Sequence, residues 1–255
     1  MNVITWNCQG LGSSLADRTL TDEVRAKDPL LVFLSETKAG ISRIKGIHNK
    51  LDYTQGIIIP NDGRCGGLAM LWREGTGVRF KSYSNSHIDV EVYENPSSSP
   101  WRATSFYGQP DATKCTISWE LLKVLKVQNH FSWIFFGDFN KISHLDKKFR
   151  GPDRDARQMR EFRDCLNRCG LFNLGFVGQR YTWCNRRFEK QRTKLKLDRM
   201  VVSESWSEKF PDAIVHHYTM SVSNHCLLTL YLHCRQPHKP IRKRFFFKAM
   251  WTRGD

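Results

Sequence analysis

No stretch of this chain approaches the roughly 18 consecutive apolar residues that a membrane-spanning helix requires. Its opening residues, MNVITW, lack the basic start and apolar core of a signal peptide, so an intracellular protein, nuclear or cytoplasmic and away from membranes, is expected. Cysteine is present without a pattern. The eight residues Cys8, Cys65, Cys115, Cys165, Cys169, Cys184, Cys226 and Cys234 form no CxxC pair and no Cys/His group at zinc spacing. Most lie in apolar segments, which reads as small buried hydrophobes in a reducing compartment. Acidic residues are the marked shortage, with 25 Asp and Glu against 40 Lys and Arg and a net charge of +15. The deficit is local: residues 141–200 hold 17 Lys/Arg against 7 Asp/Glu, and residues 235–255 hold 7 against 1. Such a field attracts polyanions, nucleic acid first among them.

What is present describes a folded chain. Hydrophobic residues make up 40% and aromatics 12% of 255 residues, enough for one large core. Residues 1–234 read as that domain, and residues 235–255, Pro-rich and basic with the knot Phe245-Phe246-Phe247 and Trp251, read as a linker or tail. Arg242-Lys243-Arg244 within it fits a nuclear signal or a basic linker. The most informative stretch is Trp133-Ile134-Phe135-Phe136-Gly137-Asp138-Phe139-Asn140. An apolar run with no helical period is a strand buried on both faces, and Gly137 marks its end. If the extended backbone continues, Asp138 and Asn140 project to one side while Phe139 anchors the other; a strand ending in an Asx-type turn is the alternative.

Other strands are expected at 2–7, 30–34, 54–59, 67–72, 78–83, 87–93, 101–107, 195–202, 213–218 and 226–232. The turns between some of them fall at Asn61-Asp62-Gly63 and Glu94-Asn95-Pro96-Ser97. Ser13 or Ser14 caps a helix with Leu15, Leu20 and Val24 inward, and Asp28-Pro29 ends it. A second helix covers 116–129 with Ile117, Leu121, Leu122 and Leu125 inward. A third covers 153–170, with Met159, Phe162, Leu166 and Cys169 on one stripe and Gly170 at its end. Residues 39–53 read as loop. The helix-and-strand halves before and after Gly108 hint at a two-layer duplication. Asn7, Glu36, Tyr107, Asp138, Asn140, Asp198 and His225 each fall at or just beyond a strand end, the usual place for ligands in open α/β sheets.

At these residues the motifs WNCQG (6–10), LSET (34–37), YG (107–108), GDFN (137–140), LDR (197–199) and SNH (223–225) resemble those of the endonuclease/exonuclease/phosphatase superfamily. GGLAMLW (66–72), GLFNLGFVGQRYTW (170–183) and FFFKAMW (245–251) resemble the endonuclease domains of plant non-LTR, LINE-type retrotransposons. The resemblance implies an α/β, DNase I-like four-layer sandwich, two packed mixed sheets with helices outside. It also implies phosphodiester hydrolysis with Mg²⁺, or Mn²⁺ in its place. In that scheme Glu36 is the principal metal ligand, assisted by Asn7 and by the position of Asn224. His225 faces the phosphate with its tautomer fixed by Asp198, Asp138 handles the proton of the attacking water, Asn140 bonds a phosphate oxygen, and Tyr107 helps orient the phosphate. A basic hairpin with Arg186, Arg187 and Lys190 supplies contacts to DNA.

Three positions depart from that pattern. Asn224 stands where the family has Asp, and Lys141 and Asn173 replace acidic residues of the plant motifs. Losing a carboxylate about 4 Å from a cation removes up to several kcal/mol of attraction at an effective dielectric near 20. The plant elements continue into a reverse transcriptase, and residue 255 falls just past that junction. A monomeric endonuclease that nicks target DNA for retrotransposition is therefore expected. The alternatives are a catalytically impaired remnant that binds nucleic acid, and a phosphoinositide-type phosphatase or sphingomyelinase.

Overall fold

Alternating and continuous apolar runs set up two sheets, and amphipathic helices cover their outer faces. In the computed structural model, which describes residues 1–61, 66–128 and 130–234, the chain opens with β1 (Asn2–Asn7), α1 (Ser14–Lys27), β2 (Leu31–Ser35) and α2 (Ile41–Lys50). Five strands follow: β3 (Gln55–Ile59), β4 (Leu68–Trp72), β5 (Val78–Ser84), β6 (His87–Val92) and β7 (Trp101–Tyr107). Then come α3 (Cys115–Val127), β8 (Trp133–Asp138), β9 (Lys148–Phe149), α4 (Ala156–Arg168), β10 (Phe172–Asn173), β11 (Phe176–Gly178), β12 (Trp183–Cys184), β13 (Lys194–Leu195) and β14 (Asp198–Val202). The last elements are α5 (Glu204–Lys209), β15 (Ile214–Tyr218) and β16 (Leu227–Tyr231).

The strands sort into a seven-stranded sheet, β11-β15-β16-β1-β2-β4-β3, a six-stranded sheet, β10-β14-β8-β7-β6-β5, and a small one, β12-β13-β9. Both large sheets are mixed, and three apolar clusters separate four layers. Phe33, Met70, Phe136 and Leu228 lie in the cluster between the sheets, where Phe33 meets Phe136 edge-on at 6.2 Å. Leu20, Val24, Ile44 and Ile47 pack α1 and α2 on the first sheet. Trp119, Leu122, Phe162 and Leu166 pack α3 and α4 on the second, with the rings of Trp119 and Phe162 stacked at 4.9 Å. Each fully buried side chain of this size stabilises the fold by about 1.5–3 kcal/mol. The architecture is the α/β DNase I-like sandwich expected. The sheets do not divide the chain at Gly108, because β5–β7 join β8 in one sheet while β11, β15 and β16 return to the other.

Local detail corrects several expectations. Ser13 caps α1, its hydroxyl accepting from Ala16 N at 3.1 Å. Starting there, the helix buries Ala16, Leu20 and Val24 at i, i+4, i+8 and leaves Leu15 57% exposed. In α3 the inward stripe runs through Cys115, Trp119, Leu122 and Leu125, and Ile117 faces out. Residues 41–50 form a helix, not a loop. The stretch from 195 to 202 is broken between β13 and β14. The Gly at 137 does not end β8: its φ of +134° and the carbonyl of Phe106, which a Cβ would strike, require glycine inside the strand. Cys8, Cys115, Cys165, Cys169 and Cys226 are buried free thiols, while Cys184 and Cys234 are half-buried. Asp62, Gly63, Cys65, Asn129 and the basic tail 235–255 lie outside the described residues.

Candidate active site

Strand register brings the polar residues to one rim. Parallel β1 and β2 place Asn7 beside Ser35, one residue before Glu36. Parallel β7 and β8 place Tyr107 beside Asp138, and antiparallel β14 places Asp198 on the other side of Asp138. His225 enters from the loop before β16, which pairs with β1, and Ser223 Oγ donates to the carbonyl of Asn7 at 2.7 Å. Four non-glycine residues at this rim have left-handed backbone: Gln9 (φ 52°), Glu36 (51°), Lys38 (46°) and Asn140 (53°). Each costs roughly 1–2 kcal/mol, and such strain concentrates at functional sites. It is held in place by backbone bonds from Leu11 N to Thr37 O at 2.8 Å and from Thr37 N to Gly67 O at 3.2 Å.

One hydrogen-bond network joins the two sheets. Asn7 Nδ2 donates to Glu36 Oε1 and to Asp138 Oδ2, both at 2.9 Å, and Tyr107 OH donates to Glu36 Oε1 at 3.0 Å. Lys38 Nζ stands 3.1 Å from Glu36 Oε2. Asp138 Oδ1 accepts from Asn140 N at 2.8 Å, so β8 ends in an Asx-type turn and the extended geometry does not continue. Asn140 nevertheless reaches the same rim, with Nδ2 donating to Gly108 O at 2.9 Å. His225 Nδ1 lies 3.0 Å from Asp198 Oδ2 and 3.9 Å from Asp138 Oδ2. Thr182 Oγ1 accepts from Leu197 N and Asp198 N, at 3.0 and 2.9 Å, and fixes the strand start that presents Asp198.

Burial and charge set the protonation states. Burial would lower the pKa of His225, but the carboxylates of Asp198 and Asp138 outweigh it and raise the value to about 9. The ring is therefore an imidazolium at neutral pH, with Nδ1–H engaged by Asp198 and Nε2–H left to donate. Burial, then the neighbouring Asp198, raise Asp138 to about 6. For Glu36 burial is overcome by the donors Asn7, Lys38 and Tyr107, which hold it below the ordinary carboxylate range. Burial also drives the Tyr107 hydroxyl well above its usual value, so it is a hydrogen-bond donor throughout the neutral range.

The donor set suits a hard divalent cation bound by few protein oxygens. Glu36 would be the residue to hold such a cation, and the Lys38 ammonium pairs with its Oε2. The Lys38 side chain is 37% exposed, so the pair borders solvent. Asn7, expected to assist the metal, bonds both neighbouring carboxylates. Two carboxylate oxygens within 3 Å demand donors, so its NH₂ faces them and its oxygen turns to Gln9 N at 3.3 Å. It orients Glu36 and Asp138. Asp138, Asp198 and His225 form a buried cluster of metal-ligand spacing, the group of that kind found among the described residues. As an imidazolium between two carboxylates, His225 already supplies a positive charge to it.

Asn224 is half-buried, its N–H donating to Gln9 Oε1 at 2.8 Å and its carbonyl accepting from Cys184 N at 3.0 Å. Arg186 also differs from expectation. Its guanidinium donates to Ser221 O at 2.5 Å and to the carbonyls of Met220 and Ser223, so it ties the hairpin to the loop before His225. Arg187 and Lys190 are exposed on that hairpin. Lys141 is buried at the rim and donates to Gln109 O at 3.2 Å, and burial lowers its pKa. Asn173 Oδ1 accepts from the buried Arg199 at 3.4 Å. Beside His225 opens a cavity of about 380 Å³ whose walls include Trp183, Arg192, Lys194 and Asn224. Lys38, Gln9, Ser223 and Thr182 were not singled out from the sequence. None carried a distinguishing signal in the sequence, the cation at Lys38 included.

A sequence model described as the Endonuclease/Exonuclease/phosphatase family matches residues 4–217. Among curated protein sequences no match was found. Among solved structures, the 3′-5′ exonuclease NExo from Neisseria meningitidis aligns over 91% of this chain and 99% of its own, with a TM-score of 0.69 and 16% identity. The endonuclease domain of TRAS1, a telomere-specific non-LTR retrotransposon, aligns over 92% and 99%, with a TM-score of 0.66 and 16% identity. An AP endonuclease from Archaeoglobus fulgidus aligns over 91% and 98%, with a TM-score of 0.67 and 14% identity. These likenesses carry the fold, and together with the family match over most of its length they establish that the chain belongs to the Endonuclease/Exonuclease/phosphatase family.

Proposed function

We propose that this protein hydrolyses phosphodiester bonds of DNA with Mg²⁺, or Mn²⁺ in its place, nicking target DNA of a retrotransposon-type element. Its active site comprises Asn7, Glu36, Tyr107, Asp138, Asn140, Asp198 and His225. The observation that carries the reading is the single network in which Asn7 bonds both Glu36 and Asp138, with His225 and its Asp198 beside them. The divalent cation, when held by Glu36, supplies Lewis-acid neutralisation of the phosphate charge. Asp138, with a pKa of about 6, is ionised at neutral pH yet basic enough to take the proton of a water attacking phosphorus in line. The imidazolium of His225 donates from Nε2 to a phosphoryl oxygen. Asn140 has one amide hydrogen on Gly108 O and one left for the same oxygen set, so donors meet the charge that develops there. Asn7 and Tyr107 hold Glu36 and Asp138 in place.

A second reading, a nucleic-acid-binding remnant with weakened chemistry, is favoured by Asn224 at the family's Asp position and by Lys38 paired with Glu36. Supercoiled plasmid and a phosphoinositide, each with and without Mg²⁺, separate the readings. Under the first, plasmid is nicked only with the ion, and Glu36→Gln or His225→Ala slows nicking by about 10²-fold or more. Plasmid left intact by wild type but cut by Asn224→Asp establishes the second. Turnover of the phosphoinositide alone refutes both.

A further inference from the structure

Cys165 opens the last turn of α4 and Cys169 is the residue that follows the helix, four positions on and on the same face. Both are buried free thiols, and the two share a hydrogen bond. Each also donates to a carbonyl of α3, Cys165 Sγ to Trp119 O at 3.6 Å and Cys169 Sγ to Leu122 O at 3.9 Å. Burial pushes the thiols of Cys8 and Cys226 up to about 12, which keeps them protonated and inert. The pair on α4 behaves otherwise. The S–H of Cys165, joined by the ammonium groups of Lys126 and Lys123, outweighs burial and lowers the pKa of Cys169. The same hydrogen bond, with burial, raises that of Cys165. A sulfur that gives up its proton beside one that keeps it is the arrangement of a nucleophile and its resolving thiol. Between α3 and α4 a cavity of about 190 Å³, walled by Trp119, Glu120, Lys123, Asp164 and Cys165, gives a small solute a way to the pair.

We propose that Cys165 and Cys169 form a modification site at which a hydroperoxide is reduced and the two sulfurs close to a disulfide. The Cys169 thiolate attacks one peroxide oxygen, the O–O bond breaks, and the departing oxygen takes up the proton that the thiol had released. The Cys165 thiol then attacks the sulfenic acid at Cys169, forming the S–S bond and expelling water. Two thiols and one hydrogen peroxide thus give one disulfide and two waters. Cβ atoms four positions apart on a helix stand about 5–6 Å from each other, and a disulfide needs roughly 3.5–4.5 Å. The end of α4 must therefore shift by about an ångström. Cys169 stands where helices fray, and Gly170 turns the chain there at φ +66°. Closure withdraws both S–H donors from α3. Phe162, one turn before Cys165, stacks on Trp119 and meets Phe139 at 5.5 Å, and Phe139 sits between Asp138 and Asn140. Nothing in the oxidation depends on DNA or on a metal ion.

The test exposes the folded full chain to hydrogen peroxide, blocks the remaining thiols with iodoacetamide, and maps tryptic peptides without reduction. Cleavage after Arg163, Arg168 and Arg180 parts Cys165 from Cys169, so the expected product is peptide 164–168 joined to peptide 169–180. It should appear about tenfold faster than oxidation at any other cysteine of the chain, and dithiothreitol should reverse it. In Cys165→Ala the sulfenic acid has no resolving partner, and dimedone is expected to trap it at Cys169. Peptides that stay separate in the folded chain, or join only after urea unfolds it, overturn the site. So does a Cys165→Ala protein whose Cys169 takes up no dimedone.

Discussion

His225 keeps its charge because two carboxylates face it, and this makes the site's pH dependence a test of its assignment. The proposed reaction needs Asp138 ionised and His225 protonated. The rate should rise as pH passes about 6, hold, and fall as pH passes about 9, these being apparent values for a coupled pair. Asp198→Asn removes a charge that raises His225, so the alkaline limb of kcat/KM should move to lower pH, by a unit or more. A profile whose alkaline limb does not move would show that His225 does not titrate there. Residues at this scale were unevenly legible. Asp138 and His225 could be picked from the sequence because the first ends an apolar strand and the second stands just before one. The role of Asn7 could not, since whether an amide offers its oxygen or its nitrogen depends on the carboxylates that surround it. Lys38 escaped because a cation beside a strand end reads as solvated until its partner is seen.

The β12–β13 hairpin and the loop before His225 act as one element because Arg186 bonds the carbonyls of Met220, Ser221 and Ser223. Lysine cannot span three carbonyls as the planar guanidinium does. Arg186→Lys is therefore expected to lower kcat roughly tenfold while KM for DNA stays within about threefold, and Arg187→Ala should do the reverse. Steady-state kinetics on an oligonucleotide duplex separates the two, and equal effects on KM would return Arg186 to the phosphate-binding role read from the sequence. The two arginines are adjacent and chemically identical in the sequence. What separates them is the structure, in which Arg186 has left-handed backbone, φ 54°, and its side chain bonds the loop. Similar limits apply to helices. The stripe of α4 was legible because Met159, Phe162 and Leu166, with Cys165 beside them, are set among charged residues. The α3 segment is apolar on more than one face, so Leu122 and Trp119 could not be ranked above Ile117 and Leu121. For α2, Gly40 offers no side-chain cap and Gly46 sits inside it, and nothing local announced a helix.

At the scale of the molecule, the excess of Lys and Arg falls in residues 141–200, the segment that includes the β12–β13 hairpin and Asp198, which favours binding through phosphates. About four such contacts imply an affinity that drops roughly 10²-fold between 50 and 200 mM salt. Fluorescence anisotropy with a labelled duplex measures it, and a flat response would remove nucleic acid as the partner. The layered architecture itself was not deducible from periodicity. Strand positions were, but which strand pairs with which depends on contacts between residues far apart in the chain, and the four-layer arrangement was reached through the motifs.

The bond from Ser223 to the carbonyl of Asn7 links residues 216 positions apart, on the loop before β16 and at the end of β1. During synthesis β1 leaves the ribosome long before β16, one of its two neighbours in the sheet, exists. The rim is therefore incomplete until residue 225 has emerged and β16 has docked beside β1. A nascent chain halted short of that point lacks His225, the group that faces Asp138 and Asp198.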